Sequence, residues 1–139
     1  MLYLSVTRLK LKSFRYLLSF LFYTDQILRE IRASEGYLQG KLMATHNLSM
    51  WTMTLWTSEE SARNFYLSGS HQLAMEKISE WTSEAVHINH PTNWDQLPPW
   101  TDVTQLLANQ GHFVPLTNPS ENHLKRFITQ PSLKFILKI

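Results

Sequence analysis

The apolar residues near the start of the chain change their spacing in an order that few folds accommodate. Residues 2–11 alternate apolar and polar side chains, which is the period of a half-buried strand. From Phe14 to Ala33 apolar residues recur at helical spacing in two adjacent stripes. A helix with two apolar stripes packs on two sides, so we expect one side to contact a sheet and the other to contact a ligand cavity or a second subunit.

The same alternation of periods continues to about residue 90. Residues 37–44 and 49–56 read as two strands of a hairpin with Asn47 in the turn. Thr57 and Glu60 have capping-box spacing and predict a helix with Thr57 as its cap. Gly69 interrupts that helix, a second helical piece covers 70–81, and residues 84–89 form a last strand. The order β-α-β-β-α-β predicts an α+β, ferredoxin-like domain over residues 1–90 with a four-stranded antiparallel sheet.

A four-stranded sheet with helices on one side leaves its other face uncovered. That face carries aromatic residues, and only 17% of the chain is charged, below the roughly 25% that is usual for soluble domains. Both observations indicate that additional surface is buried. Two such sheets packed face to face across a twofold axis would bury it, so the sequence predicts a homodimer through the sheet face.

Residues 91–139 differ in character from the rest of the chain. All six prolines lie there, residues 101–109 predict one short helix, and residues 132–139 predict an amphipathic strand or helix end. The apolar pattern is too irregular for a second independent domain. We interpret this part as a C-terminal extension packed on the domain or on a partner subunit.

Composition excludes several classes of function. A net charge of +2 gives no support for nucleic-acid binding, and the absence of cysteine excludes disulfides and thiolate chemistry and favours a cytoplasmic protein. The most apolar stretch, 16–23, is shorter than the roughly 20 residues of a membrane span. The four glycines are scattered, so no phosphate-binding loop is predicted, and no G-x-S-x-G motif supports a serine hydrolase.

The segment from Trp51 to Met75 resembles a pattern found in antibiotic-biosynthesis-monooxygenase-like proteins. There a hairpin strand ends in Trp, a capped helix carries an inward aromatic residue, and a Ser-Gly break leads to a helix with an early His. The turn with Gly36, Tyr37 and Gly40 and the first-strand segment 6–9 are also similar to uncharacterised bacterial members of the group. A more distant resemblance is to the spheroidene monooxygenases. The resemblance covers about residues 1–90.

This resemblance implies a homodimer of the dimeric α/β-barrel type, with a cavity between sheet and helices. Relatives include cofactor-independent monooxygenases, haem-degrading enzymes, isomerases and proteins without a shown activity. In the haem degraders the iron-binding His falls near Met75, where this chain has no His. No cofactor is therefore the first expectation, and haem bound through His71 or Met75 is an alternative.

His71 is the candidate catalytic base, because its ordinary pKa lies near neutrality. Aromatic side chains suit the walls of an apolar site, and Arg8 could anchor a polar group there. The candidate ligand-binding residues are Arg8, Tyr16, Phe20, Tyr23, Trp51, Trp56 and Met75. For Trp51 and Trp56 core packing or a subunit interface is the preferred explanation, and Tyr16, Phe20 and Tyr23 share the same two explanations. No metal site is predicted, because His87 and His90 point to opposite faces of a strand.

Three hypotheses follow from the sequence. The first is a monooxygenase-like protein that holds a small apolar molecule between sheet and helices, either as a binding protein or as a cofactor-independent oxygenase. The second is a non-enzymatic homodimeric structural or interaction module, in which the aromatic residues are closely packed. The third is a haem-binding protein.

Overall fold

A computed structural model describes residues 1–131 and 134–139 of the chain. The strands are β1 (Leu2–Leu11), β2 (Tyr37–Thr45), β3 (Ser49–Trp56), β4 (Thr82–Thr92), β5 (His112–Phe113) and β6 (Lys134–Lys138). The helices are α1 (Leu17–Arg32), α2 (Glu59–Tyr66), α3 (Gly69–Trp81), α4 (Trp100–Gln110) and α5 (Glu121–Leu124), and a single 3-10 turn, Phe14–Tyr16, precedes α1. Of the predicted segment 132–139, residues 132 and 133 lie outside the described residues.

The strands form one antiparallel sheet in the order β5-β4-β1-β3-β2-β6. Its four central strands have the ferredoxin-like arrangement that the sequence predicts. The prediction of four strands is corrected to six, because the extension adds a strand at each edge. β5 pairs with β4, and β6 pairs with β2.

The helix starts follow local side-chain chemistry. Ser13 accepts a hydrogen bond from the N–H of Arg15 at 3.1 Å and caps the 3-10 turn. Ser58, and not Thr57, caps α2, because its hydroxyl accepts from the N–H of Ser61 at 3.1 Å. Two adjacent hydroxyl residues made either one a suitable cap. None of the described helices has the length and apolarity needed to cross a bilayer.

The chain forms three layers, with α1 to α3 on one face of the sheet and the extension on the other. The larger apolar core lies on the extension side. There Val103 and Leu107 of α4 and Ile128 pack on the sheet residues Leu4, Val6, Met43, Trp51, Met53, Leu55, Val86 and Ile88. The predicted bare face is therefore covered within one chain. The extension covers much of the sheet face through which the sequence interpretation places a second subunit, and the homodimer stays a prediction.

Polar contacts also fasten the extension to the sheet. Arg8 forms a buried ion pair with Glu84 at 2.6 Å, and the hydroxyl of Ser120 donates to the other oxygen of Glu84 at 2.7 Å. The N–H of Ala85 donates to Nδ1 of His123 at 3.3 Å, and Nε2 of His123 lies 2.8 Å from the carbonyl of Val114. With Nδ1 accepting, Nε2 carries the ring hydrogen and donates it.

Leu107→Ala is expected to lower the free energy of unfolding by about 3 kcal/mol, because it leaves a cavity in the core between α4 and the sheet. Leu124→Ala, which truncates a leucine on the exposed side of α5, is the matched control and should change it little. Urea unfolding measures both variants. Equal stabilities of the two variants would mean that α4 is not part of the folded core.

Candidate functional site

A partly open cavity of about 760 Å³ lies between the sheet and the helical layer. α1 and α3 form its upper wall. Its floor is formed by five neighbouring strands of the sheet, in the order β4, β1, β3, β2 and β6. Such a volume is typical of sites for small organic ligands. The cavity lies on the face opposite to the larger core, so the extension does not fill it.

Strand register arranges the floor in three rows, because residues that are paired across strands share a face. The first row contains Asn89, Ser5, Thr54 and Gly40; the second contains His87, Thr7, Thr52, Leu42 and Leu137; the third contains Ala85, Leu9, Met50, Ala44 and Phe135. Two polar rows thus lie beside an apolar one, beneath a largely apolar wall.

The polar side chains of the first row are bonded to the protein. The hydroxyl of Tyr66 donates to Ser5. Ser5 donates to Oδ1 of Asn89 at 2.8 Å, and Nε1 of Trp56 donates to the hydroxyl of Thr54 at 2.9 Å. This row is a fixed hydrogen-bonded end of the cavity.

The second row has free hydrogen-bonding capacity. Thr7, Thr52 and His87 all border the cavity, and within residues 1–131 and 134–139 their side chains have no protein hydrogen-bond partner. Adjacent strands lie roughly 4.8 Å apart, so three neighbouring polar groups are presented in a line. They could hold polar atoms on one edge of a flat ligand.

His71 borders the cavity from the first turn of α3, two residues after Gly69. Gly69 has a φ of +53°, and a side chain there would collide with the carboxylate of Glu30. That carboxylate accepts from the N–H of Ser70 at 3.1 Å and from its hydroxyl at 2.8 Å, which fixes the start of α3. Glu30 of α1 therefore determines where the imidazole lies.

The ring of His71 packs beside Phe65 and Tyr66, with centroid distances of 5.3 and 5.0 Å. Its Nδ1 is buried and has no partner among the described residues. Burial lowers the pKa of His71, and burial followed by the neighbouring His112 lowers the pKa of His87. Both imidazoles facing the cavity are thus held neutral. Burial raises the pKa of Tyr66, so its hydroxyl remains a donor.

Four of the residues proposed from sequence meet at the cavity: His71, Phe20, Tyr23 and Met75. Phe20 and Tyr23 form a wall with Trp81, at ring centroid distances of 6.5 and 5.3 Å. Met75 lies at the rim with 49% of its surface exposed. The structure brings these residues together from α1 and α3.

Of the other four, only Trp51 also borders the cavity. Tyr16 is in the turn before α1, beneath the guanidinium of Arg15, and Trp56 is buried under α2 against Phe65. The sequence interpretation places Arg8 in the cavity, whereas the structure places it on the extension face, because it alternates with the cavity residue Thr7. Trp51 borders the cavity, but its ring packs on Trp100 of the extension.

A metal site is not found in the part of the chain that the structure describes, where no three His, Asp or Glu residues come together. His87 lies in the cavity floor, and His90 pairs with Leu4 on the extension face. The rings of His87 and His112 lie 5.1 Å apart at the sheet edge.

Similar solved structures share this fold. A putative antibiotic biosynthesis monooxygenase from Nitrosomonas europaea superposes with a TM-score of 0.59 at 8% identity, covering 68% of this chain and 92% of that one. The cofactor-independent oxygenase SnoaB from Streptomyces nogalater gives 0.55 at 12% identity, covering 70% and 98%. This is the fold of the antibiotic-biosynthesis-monooxygenase-like proteins.

A conserved protein from Methanosarcina mazei Go1 gives a TM-score of 0.59 at 12% identity, covering 67% of this chain and 94% of that one. At these identities the likeness shows the fold alone. No protein-family model matches the sequence. No curated protein matches it either.

Sequence reasoning missed the polar floor of the cavity. Ser5 and Thr7 on β1 and Thr52 and Thr54 on β3 alternate with apolar residues, a pattern that usually marks a solvent-facing side. The predicted helices were the signal that could have found it. Because they must pack on one face of the sheet, polar residues on that face lie beneath them and not in solvent.

Proposed function

We propose that the protein binds a small, flat, apolar molecule in the cavity and oxidises it with molecular oxygen without a cofactor. The observation that carries the proposal is the imidazole of His71, which borders the cavity and whose pKa is lowered by burial. A general base needs a neutral ring nitrogen at the substrate site. The fold shared with SnoaB, which is described as a cofactor-independent oxygenase, supports the reaction class.

The chemistry needs an acidic C–H bond in the substrate. The neutral imidazole of His71 takes the proton, and the carbanion transfers its electrons to oxygen and forms a new C–O bond. The resulting peroxide anion takes the proton back from His71 to become a hydroperoxide, which, where the carbon was a methylene, loses water to leave a carbonyl. The substrate is oxidised, and oxygen is reduced to one carbonyl oxygen and one water.

The second row and the aromatic wall supply the other parts of the proposed site. Thr7, Thr52 and His87 would hold an oxygen-bearing edge of the substrate, while Phe20, Tyr23 and Trp81 would cover its rings. A carbanion spread onto a carbonyl oxygen is stabilised by hydroxyl donors at that edge. The mostly apolar wall strengthens these contacts by excluding water.

The cavity also bears on the two alternatives. A purely structural module would have closely packed aromatic residues, and about 760 Å³ of space between α1, α3 and the sheet favours a ligand. Haem binding would use His71, with Met75 on the same helix and also at the cavity. A haemin titration without a shifted Soret band would exclude it. The lack of cysteine supports our placing the protein in the cytoplasm.

Filling the cavity tests ligand binding. Ala74→Trp places an indole from α3 into the cavity, whereas Ala108→Trp makes the same change on the exposed side of α4. We expect the dissociation constant for Nile red, an apolar fluorescent probe, to rise about tenfold or more in Ala74→Trp and to stay unchanged in Ala108→Trp. Circular dichroism establishes that both are folded. Unchanged binding by a folded Ala74→Trp variant would show that the cavity is not the binding site.

A further inference from the structure

The side chains that border the cavity are one-sided in charge. Two of them are acidic, Asp25 of α1 and Glu76 of α3, and none is a lysine or arginine among the residues that the structure describes. The imidazoles of His71 and His87 supply no cation near neutral pH, because burial lowers the pKa of each. A ligand in the cavity therefore meets two carboxylates and no permanent positive charge.

The alternation of side chains along the strands explains why the cavity floor has no cation. Neighbouring residues of a strand point to opposite faces, and Thr7, Leu42 and Leu137 face the cavity. The basic residues of the floor strands all occupy the alternate positions, on the face where the extension packs; they are Arg8, Lys10, Lys41, Lys134 and Lys138. The sheet thus turns its positive charges away from the cavity.

The two acidic side chains lie at the opening of the cavity, because each is exposed as well as bordering it. Asp25 pairs with Arg29 at 3.0 Å, so a cation already compensates much of its charge. Glu76 forms no ion pair within residues 1–131 and 134–139. Glu76 is therefore the uncompensated negative charge at the opening.

These charges act differently on ligands of different charge. A carboxylate carried into the cavity would lose its water and find no cation, which is costly, and at the opening it would face Glu76. An ammonium at the opening keeps its water and is attracted to Glu76, while the rings that carry it fill the cavity. The anion of the proposed reaction is a different case, because it forms beside the imidazolium that His71 becomes.

We propose that the cavity selects its ligand by charge. It accepts flat apolar molecules that are uncharged or that carry an amine at the end facing the opening, and it rejects carboxylates. Glu76 is the residue that determines the preference for the amine. The inference rests on the proposed function, to which it adds the chemical class of the ligand.

Three fluorescent anthracenes that differ in one substituent on the central ring test the proposal. Anthracenemethanol is uncharged, anthracenecarboxylate is an anion, and aminomethylanthracene is a cation at about pH 7.5, where both cavity imidazoles are neutral. Fluorescence titration at low ionic strength gives their dissociation constants. We expect the value for the carboxylate to be about tenfold or more above that for the alcohol, and the value for the amine to be about threefold below it.

Reversing one charge at the opening tests the role of Glu76. Glu76→Lys should raise the dissociation constant of the amine about tenfold, lower that of the carboxylate several-fold and leave that of the alcohol unchanged. Glu80→Lys makes the same change at an exposed position of α3 that does not border the cavity, and it should leave all three values unchanged.

Two results would overturn the charge selection: a carboxylate that binds wild-type protein as tightly as the alcohol, or equal effects of Glu76→Lys and Glu80→Lys. In both cases the alcohol still binds, so the proposed function stands. Failure of the uncharged alcohol itself to bind would overturn the proposed function and the charge selection together.

Discussion

Replacing His71 with glutamine is expected to slow the oxidation of anthrone by about a hundredfold or more. Anthrone is a flat three-ring ketone with an acidic methylene, and its conversion to anthraquinone consumes one oxygen molecule and releases one water. Glutamine keeps a polar side chain beside Phe65 and Tyr66 but cannot accept the proton. An oxygen electrode measures the rate, and the exposed His46→Gln is the control.

The pH profile separates a base from a residue that only packs. Burial lowers the pKa of His71 below its ordinary value of 6.5, so the neutral, active form persists to lower pH than for a free histidine. The rate should therefore rise with pH through a midpoint below 6.5 and then level off. Wild-type turnover of anthrone with an unchanged rate in His71→Gln would assign the base to another group, such as His87.

Arg8→Met is expected to lower the free energy of unfolding by about 3–5 kcal/mol, because it leaves the carboxylate of Glu84 buried without its partner. Arg8 is 2% exposed and Glu84 is 3% exposed, and their charged atoms lie 2.6 Å apart. The matched control is Arg29→Met, which breaks an exposed ion pair with Asp25 on α1 and should have little effect. Chemical denaturation measures both variants.

A double variant distinguishes a lost ion pair from general damage to the core. Arg8→Met/Glu84→Leu removes both charges, so most of the lost stability should return. If the double variant were as unstable as Arg8→Met, packing and not an unpaired charge would be the cause.

The ion pair between Arg8 and Glu84 also makes the free energy of unfolding depend on pH. Burial alone would raise the pKa of Glu84, but hydrogen bonds from Arg8 and Ser120 outweigh it and hold the pKa below its ordinary value of 4.5. A carboxyl group with a lowered folded-state pKa adds stability above its unfolded pKa and loses it as the pH falls through the folded one. Wild-type stability should thus fall below about pH 4.5, and Arg8→Met should lose this contribution.

The period of the apolar residues predicted β1 to β4 and the helices between them, because local alternation is a property of each segment alone. It could not predict which face of β1 meets the helices. Arg8 and Thr7 differ by one position, and the choice between their faces depends on where the extension packs. The extension itself is irregular and rich in proline, so its helix around Val103 and Leu107 was visible but its position over the sheet was not.

In the candidate site, too, some residues could be predicted from local sequence and others could not. His71 and Met75 follow from a helix that starts after Gly69, and Phe20 and Tyr23 follow from the second apolar stripe of α1. The row of Thr7, Thr52 and His87 depends on pairing between strands that are distant in sequence, as β1 and β4 are. His87 in particular appeared only as a metal candidate, since nothing local indicates that it faces a cavity.

A crystal structure of the protein with anthraquinone, the stable product of the anthrone reaction, tests the central claim most directly. The account predicts the ligand between α3 and the sheet floor, with its rings against Phe20 and Tyr23 and one oxygen on the row of Thr7, Thr52 and His87. It also predicts the imidazole of His71 within hydrogen-bond reach of the oxygen on the carbon that is oxidised. A ligand bound elsewhere, or a cavity closed by its own side chains, would contradict it.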